Sequence, residues 1–264
     1  MKGRGDEVSP SWSKRFEFAS RYAVRHLLIS LLVALGSGGV VFGLWYPAPY
    51  RQMLQVDHIY LLVLAVDVAC GPLLTLVLAS PRKSRRERWL DFSLIGLIQL
   101  AALAYGMHSV WVARPVALGF EADRLVVVTA NELQADALPR APAGLQRLPW
   151  AGVLKVGTRK PANSEEMMSS LDKELAGLSP AMRPDWWLPW AQAQQGMRSR
   201  AKPLPELVAR RPEAAAQLQA AARSAGHAVQ ELRYLPLVSS KTLDWVALLD
   251  ADMTLVGWAP VDGF

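Results

Sequence analysis

The sequence predicts a membrane protein with three transmembrane α-helices followed by an α+β domain with antiparallel strands. Three apolar runs predict the spans, at about 27–45, 59–79 and 92–113, because each approaches the ~20 residues that cross a bilayer. Residues 114–264 contain no comparable run and predict a water-soluble domain. A hydrophobic fraction of 52% beside a charged fraction of 20% fits a chain whose apolar residues are concentrated in one part.

Charge predicts the orientation of the spans. Lysine and arginine are concentrated in a cytoplasmic arm, residues 1–25, and in the loop "PRKSRRERW" after the second span, whereas the first loop has Arg51 alone. The positive-inside rule therefore places 114–264 outside the cytoplasm. The net charge is +5 over residues 1–113 and +1 over 114–264. The basic excess thus predicts contact with anionic lipid headgroups at the cytoplasmic face and does not favour nucleic-acid binding.

Aromatic residues predict the ends of the first span. Trp12, Phe16 and their neighbours at helical spacing predict an amphipathic helix over 11–25 that lies on the inner leaflet or simply caps the span. "LWYPAPY" predicts an interfacial aromatic belt of Trp45, Tyr46 and Tyr50 before the second span.

The second span contains a carboxylate, Asp67, which costs roughly 2.5–3.5 kcal/mol at the centre of a membrane. Gly71 and Pro72 follow one turn later, and Pro72 cannot donate to a backbone carbonyl. Counting residues from the cytoplasmic ends places Asp67, Tyr105 and Gly39 at one depth. Two interpretations stay open: an internal hydrogen bond from Tyr105 to Asp67, or a contact point for the transmembrane helix of another protein.

Two further groups are candidate partner-binding residues. Gly39 and Gly43 have small-xxx-small spacing, which predicts close packing either within this protein or with a partner helix. Trp186, Trp187 and Trp190 stand close together in "RPDWWLPW" and predict either a core anchor or an exposed binding surface.

The sequence offers little catalytic chemistry. It lacks the common hydrolase, nucleotide-binding and metalloprotease motifs, and its four histidines are scattered. Asp250 and Asp252 lie in a short turn, and the single cysteine, Cys70, lies within a span. We therefore expect a protein that is not an enzyme and that needs no metal or cofactor.

In residues 114–264, turn and capping residues mark the ends of predicted strands and helices. "PVALGF" and "RLVVVTA" flank the turn "EAD" and predict a hairpin, and "GVLKVGT" predicts another strand. Asn163 and Glu166 have capping-box spacing and begin a predicted helix that ends at Gly177. An Ala-rich helical stretch broken at Pro212 follows, and three apolar runs after residue 231 predict an antiparallel meander.

The motifs "LWYPAPY", "DVACGPLLTLVL", "LIQLAALAYG" and "ARPVALGFEADRLVVV" resemble those of the type IV pilin accessory proteins, the TfpX/TfpZ kind also labelled FimB. The resemblance implies a bacterial inner-membrane protein with a periplasmic domain that assists or modulates the stability and assembly of a type IV major pilin. It adds Gln99 to the candidate contact residues. The alternative function is a membrane-bound envelope sensor or regulator with a periplasmic sensing domain.

Overall fold

The computed structural model describes residues 12–264, apart from the side chains of Ser13 and Ile59. The first eleven residues of the predicted arm lie outside the described residues. The chain forms eight α-helices and eight β-strands within the described range: α1 Trp12–Val40, α2 Tyr50–Met53, α3 Val56–Leu78, α4 Arg85–Val112, β1 Pro115–Glu121, β2 Arg124–Thr129, β3 Leu154–Thr158, α5 Ser164–Leu175, β4 Trp187–Pro189, α6 Trp190–Arg200, β5 Lys202–Pro203, α7 Leu204–Arg210, α8 Ala215–Ser224, β6 Arg233–Val238, β7 Trp245–Leu249 and β8 Leu255–Ala259.

Three helical segments are long and apolar enough to cross a membrane: Lys14–Trp45, Val56–Leu78 and Arg85–Val112. The first consists of α1 and a π-helical turn, Val41–Trp45. The arm and the first span therefore form one continuous helix from Trp12, where the sequence predicted a separate amphipathic helix. Their exposed apolar faces fit elements that lie in hydrocarbon, where a helix satisfies most of its backbone groups internally.

The described chain divides into two compact units. One, here called the helical unit, comprises 12–41 and 57–111. The other, the sheet unit, comprises 42–56 and 112–264. The sheet unit thus extends beyond the predicted domain 114–264, because it includes the first loop.

One mixed sheet organises the sheet unit. Its strand order is β4-β3-β1-β2-β6-β7-β8, and β5 pairs with β6. Five pairings are antiparallel, including the predicted hairpin β1–β2 and the predicted meander β6–β7–β8. The pairings β1–β3 and β2–β6 are parallel. The central strands are buried along nearly their whole length, which explains why they appear in the sequence as continuous apolar runs.

Both faces of the sheet are covered. Leu118, Val127 and Leu235 pack with α6 in one core cluster, while Val246 and Leu248 pack against α7 and α8 in another. Neighbouring residues of each strand alternate between clusters, as the period of two requires. The Ala-rich stretch is helical on both sides of Pro212, as predicted.

The first loop is part of the core of the sheet unit. Tyr50 is 6% exposed and Met53 is fully buried, and both belong to the cluster that contains Leu118 and Leu235. The amide of Gly152 donates to the carbonyl of Leu44 at 3.1 Å. Burial raises the pKa of Tyr50 to about 12. The predicted interfacial belt is therefore wrong for Trp45, Tyr46 and Tyr50, because all three are buried against protein.

Replacing Met53 with alanine tests this arrangement. Truncating a fully buried side chain leaves a cavity, so we expect Met53→Ala to lower the free energy of unfolding of the sheet unit by about 2–5 kcal/mol. Chemical unfolding of the purified protein followed by tryptophan fluorescence measures it. Gln52→Ala is the matched control, because Gln52 is exposed in the same short helix. Equal stability of the two variants would show that the loop is not part of the core.

Candidate partner-binding site in the helical unit

Gln99 of α4 connects the helices of the helical unit. Its Nε2 donates to the backbone carbonyl oxygen of Asp67 in α3 at 2.7 Å. Its Oε1 lies 2.6 Å from Nε2 of His26 in α1. Because a carbonyl only accepts, the Asp67 contact fixes which end of the amide points to α3. One side chain therefore bonds two different helices.

His26 completes the connection. Since Gln99 Oε1 is an acceptor, His26 Nε2 must carry a proton. His26 Nδ1 lies 2.6 Å from Oγ1 of Thr75, which is 2% exposed. In the neutral ring Nδ1 accepts from the threonine hydroxyl, and in the charged ring it donates to it. The polar network Thr75–His26–Gln99–Asp67 is satisfied in both states.

Gly71 permits this network. A Cβ atom at Gly71 would lie 2.2 Å from Gln99 Nε2 and 2.5 Å from Gln99 Oε1. Any larger residue would therefore displace the amide. Pro72 lies inside α3 and lacks a backbone N–H, so one carbonyl of the preceding turn loses its helical donor. Gly71, a candidate residue from the sequence, thus provides room for the side chain of Gln99.

A cavity of about 210 Å³ opens beside the network. We call it the membrane groove, and its lining includes His26, Ser30, Leu64, Asp67, Gln99 and Leu103. Most of the lining is apolar, with polar groups from all three spans. Among residues 12–264, no group donates a hydrogen bond to the Asp67 carboxylate, although its backbone carbonyl is bonded to Gln99. The groove therefore presents an acceptor that no described residue satisfies.

Tyr105 does not supply the missing donor. Its side chain is 75% exposed, and its backbone carbonyl accepts from Ser109 at 2.9 Å. The predicted internal bond to Asp67 is absent from the described contacts. Equal depth in the membrane does not imply that two residues face each other, because the rotation of each helix about its axis also decides contact.

The glycines of the first span divide into two groups. A Cβ at Gly38 would lie 3.6 Å from the hydroxyl oxygen of Tyr60, so this glycine packs within the helical unit. Tyr60 donates to the carbonyl oxygen of Ala34 at 3.3 Å. At Gly39 and Gly43 a Cβ would meet nothing within 4 Å. Packing against the protein's own spans therefore does not explain the predicted pair.

The tryptophan cluster is mostly interior. Trp186 and Trp187 are each 1% exposed, and Trp187 Nε1 donates to the carbonyl of Ala181 at 2.8 Å. The guanidinium groups of Arg159 and Arg183 lie 4.3 and 4.0 Å from the centre of the Trp186 ring. Trp190 is partly buried against the main core of the sheet unit. As an exposed binding surface the prediction is wrong for Trp186 and Trp187, and the core-anchor interpretation holds for both.

Residues 12–264 contain no group of three His, Cys, Asp or Glu side chains arranged to hold a metal ion.

An ion pair near the tryptophans holds α5 to the sheet unit. Arg159 bonds both carboxylate oxygens of Glu166, at 2.9 and 2.5 Å, and lowers the pKa of Glu166 to about 2. Burial raises the pKa of Glu121, and this effect exceeds that of a hydrogen bond from the amide of Ala181, which lowers the pKa.

Similar proteins identify the family. The chain is 34% identical over 252 residues to the fimbrial assembly protein of serogroup E1 of Dichelobacter nodosus, covering 95% of this chain and 98% of the relative. The serogroup I protein of the same organism is equally similar over the same shares. This chain belongs to the fimbrial assembly protein family. The family model of the fimbrial assembly protein FimB matches residues 14–55.

A third relative is shorter. The D. nodosus protein of serogroups C1 and C2 is 42% identical over 128 residues, which covers 48% of this chain and 98% of that protein. The match to the FimB model runs through α1 and the first loop. No solved structure matches the chain.

Sequence reasoning missed His26 and Thr75. It placed Asp67, Gly71, Pro72 and Gln99 among the candidates, and the structure brings Gly71 and Gln99 into contact. One signal was available: a threonine in α3 and a glutamine in α4 carry side chains that hydrogen-bond across membrane helices.

Gly71→Ala tests the network. The added methyl group displaces the Gln99 amide, so we expect the helical unit to lose about 1–2 kcal/mol of stability, the range for an interhelical hydrogen bond. Unfolding in mixed micelles of increasing dodecyl sulfate content measures the loss. Gly36→Ala is the matched control, because a Cβ there meets nothing within 4 Å. In a Gln99→Ala background the Gly71→Ala change should cost nothing further. If the Gly71 and Gly36 variants unfold alike, the network does not hold the helices together.

Proposed function

We propose that this protein is a non-catalytic accessory protein of the bacterial inner membrane that holds a type IV pilin before the pilin enters the filament. Family membership supports a role in pilus assembly, since the full-length relatives are named fimbrial assembly proteins. A type IV pilin in the membrane has one apolar helix with a glutamate near its N-terminus and a globular head outside. The pilin helix and the spans of this protein therefore lie in the hydrocarbon of the same membrane.

The Asp67 carboxylate carries the proposal. It lines the membrane groove without a hydrogen-bond donor from the described residues. A polar group without a partner in hydrocarbon is costly, so a helix that brings a donor into the groove gains by satisfying it. The apolar part of the groove receives the side chains around that donor. Gly39 in α1 and Gly43 in the π-helical turn each leave open space at the helix surface, which allows a second helix to approach closely.

Binding of this kind needs no cofactor and no chemical step. The network Thr75–His26–Gln99 fixes the three helices around Asp67, so the acceptor is positioned before the partner arrives. Fixing the receptor in advance lowers the entropy lost on association. In the proposed orientation, the sheet unit lies in the periplasm, the same compartment as the pilin head.

The proposed orientation is N-terminus in the cytoplasm and C-terminal domain in the periplasm. Arg85 and Arg86 are exposed near the start of α4, and Trp12 and Trp89 are 84% and 76% exposed. Cations beside exposed indole rings fit the headgroup layer of an anionic leaflet. These residues therefore support lipid contact at the cytoplasmic face.

Enzyme fusions test the orientation. Alkaline phosphatase is active only after export, so we expect a fusion after Phe264 to be active and a fusion between Arg82 and Arg88 to be inactive. Colony assays and immunoblots that normalise activity to protein level measure this. The reverse pattern would contradict the orientation and, with it, access of the sheet unit to a pilin head.

Asp67→Leu tests the contact with pilin. The variant should insert and accumulate normally, because leucine removes an acid from an apolar span. We expect affinity for co-expressed major pilin to fall roughly five- to thirty-fold, the equivalent of the ~1–2 kcal/mol that a hydrogen bond contributes between membrane helices. Crosslinking yield in native membranes, at equal protein levels, measures the change.

Tyr105→Phe is the matched control. It removes a polar group at the same predicted depth, but its exposed side chain has no contact with Asp67. This variant should crosslink and support piliation like the unmodified protein. Normal crosslinking and normal piliation with Asp67→Leu would mean that the acid does not bind pilin.

A further inference from the structure

Helix α5 packs against the rest of the sheet unit through its polar side. Its only buried residue is Ser170, which accepts a hydrogen bond from the side chain of Arg183 at 3.2 Å. Arg159 holds Glu166 on the same helix. The side chain of Asn163 accepts from the amide of Glu166 at 2.8 Å and caps the helix, as predicted. The attachments of α5 found among the described residues are therefore polar.

The apolar side of α5 faces away from the protein. Met167, Met168, Leu171 and Leu175 are 57%, 59%, 48% and 80% exposed. Their spacing of three and four residues places them on one face of the helix. None of the four belongs to the core clusters of the described residues. Since amphipathic helices normally bury this face, we call these four residues the α5 ridge and ask what covers it.

Acidic residues border the ridge. Glu165, Asp172 and Glu174 are exposed on the same helix, and Glu165 and Asp172 form no ion pair with described residues. An anionic membrane surface would repel such a border. A protein surface with small apolar side chains and a cation would match it.

The same unit carries a surface of that kind. Between α7 and α8 lies a cleft of about 460 Å³, lined by Pro205, Val208, Ala209, Ala222 and Val229 among others. These apolar side chains are short, and the polar side chains of Gln219 and Gln230 also line the cleft. Its volume lies within the range of clefts that bind ligands. We call it the α7–α8 cleft.

The border of the cleft is basic where the ridge is acidic. Arg223 lines the cleft, is exposed, and forms no ion pair with the described residues. His227 also lines it and lies 3.5 Å from Glu231. We propose that two copies of this chain associate through the sheet unit, with the α5 ridge of one copy inserted in the α7–α8 cleft of the other.

Physical conditions favour such an association. The net charge of residues 114–264 is +1, so two copies do not strongly repel each other. Methionine and leucine side chains adapt to irregular gaps, which suits a ridge that enters a preformed cleft. Anchoring in a membrane raises the local concentration of copies, so a weak contact is sufficient. The proposal does not depend on the contact between a pilin helix and the membrane groove, which lies in the helical unit.

Mass measurement is the first test. Purified full-length protein in detergent micelles should show a concentration-dependent mass above that of one chain by light scattering. Leu171→Asp and Ala209→Trp should each raise the dissociation constant at least about tenfold. The first places a charge in the ridge, and the second fills the cleft with an indole ring. Leu243→Asp is the control, since Leu243 is 58% exposed and belongs to neither surface. A monomer at all concentrations, or equal effects of Leu171→Asp and Leu243→Asp, would overturn the proposal.

Disulfide crosslinking tests the pairing itself. In a Cys70→Ser background, a Leu171→Cys protein mixed with a Val208→Cys protein should form a crosslinked dimer on mild oxidation. Neither protein should crosslink efficiently alone. A dimer of the Leu171→Cys protein alone would mean that two ridges meet each other, which contradicts the cleft. A photoreactive group at position 171 that captures only another protein, or only lipid, would likewise overturn the proposal.

Discussion

The hydrogen bonds of Gln99 are the interaction on which the helical unit depends. Between apolar helices in lipid there is little hydrophobic driving force, so packing and polar contacts decide how the helices associate. Gln99 bonds His26 on one side and the Asp67 carbonyl on the other, and Gly71 leaves the space for it. The amide thereby fixes the faces that the three helices turn toward one another. The position of the Asp67 side chain at the membrane groove follows from that arrangement.

The sequence was sufficient for what depends on local pattern. Three apolar runs, the hairpin, the meander and the cap at Asn163 all follow from spacing and composition, and all appear in the structure. Counting residues along a span predicts a depth in the membrane but not the rotation of the helix about its axis. For that reason the predicted contact of Tyr105 with Asp67 failed, and His26 and Thr75 were missed.

Amphipathic pattern and aromatic content likewise do not determine what a side chain packs against. Tyr50 in a loop after a span has the composition of an interfacial belt, yet it packs in a protein core. Trp186 and Trp187 had the composition of a binding surface and proved buried. Leu171 is the opposite case, because the periodicity of α5 gives an apolar face that is exposed in the structure. Only long-range contacts decide these cases.

The two units suggest a division of labour in a fimbrial assembly protein. In the proposed function the helical unit offers a fixed acceptor to a pilin helix, and the sheet unit offers surfaces for folded proteins. The network Thr75–His26–Gln99 would then hold the acceptor in place before a single apolar helix binds. Satisfying the unpaired Asp67 carboxylate would supply free energy for that proposed binding.

Photocrosslinking from single positions in native membranes tests the central claim most directly. A photoreactive residue at Leu64 or Leu103, both in the lining of the groove, should capture the major pilin. The same group at Leu62 or Leu97, which are 68% and 65% exposed outside that lining, should capture it at least about tenfold less. Equal capture from all four positions, or capture from the outer positions alone, would contradict the account.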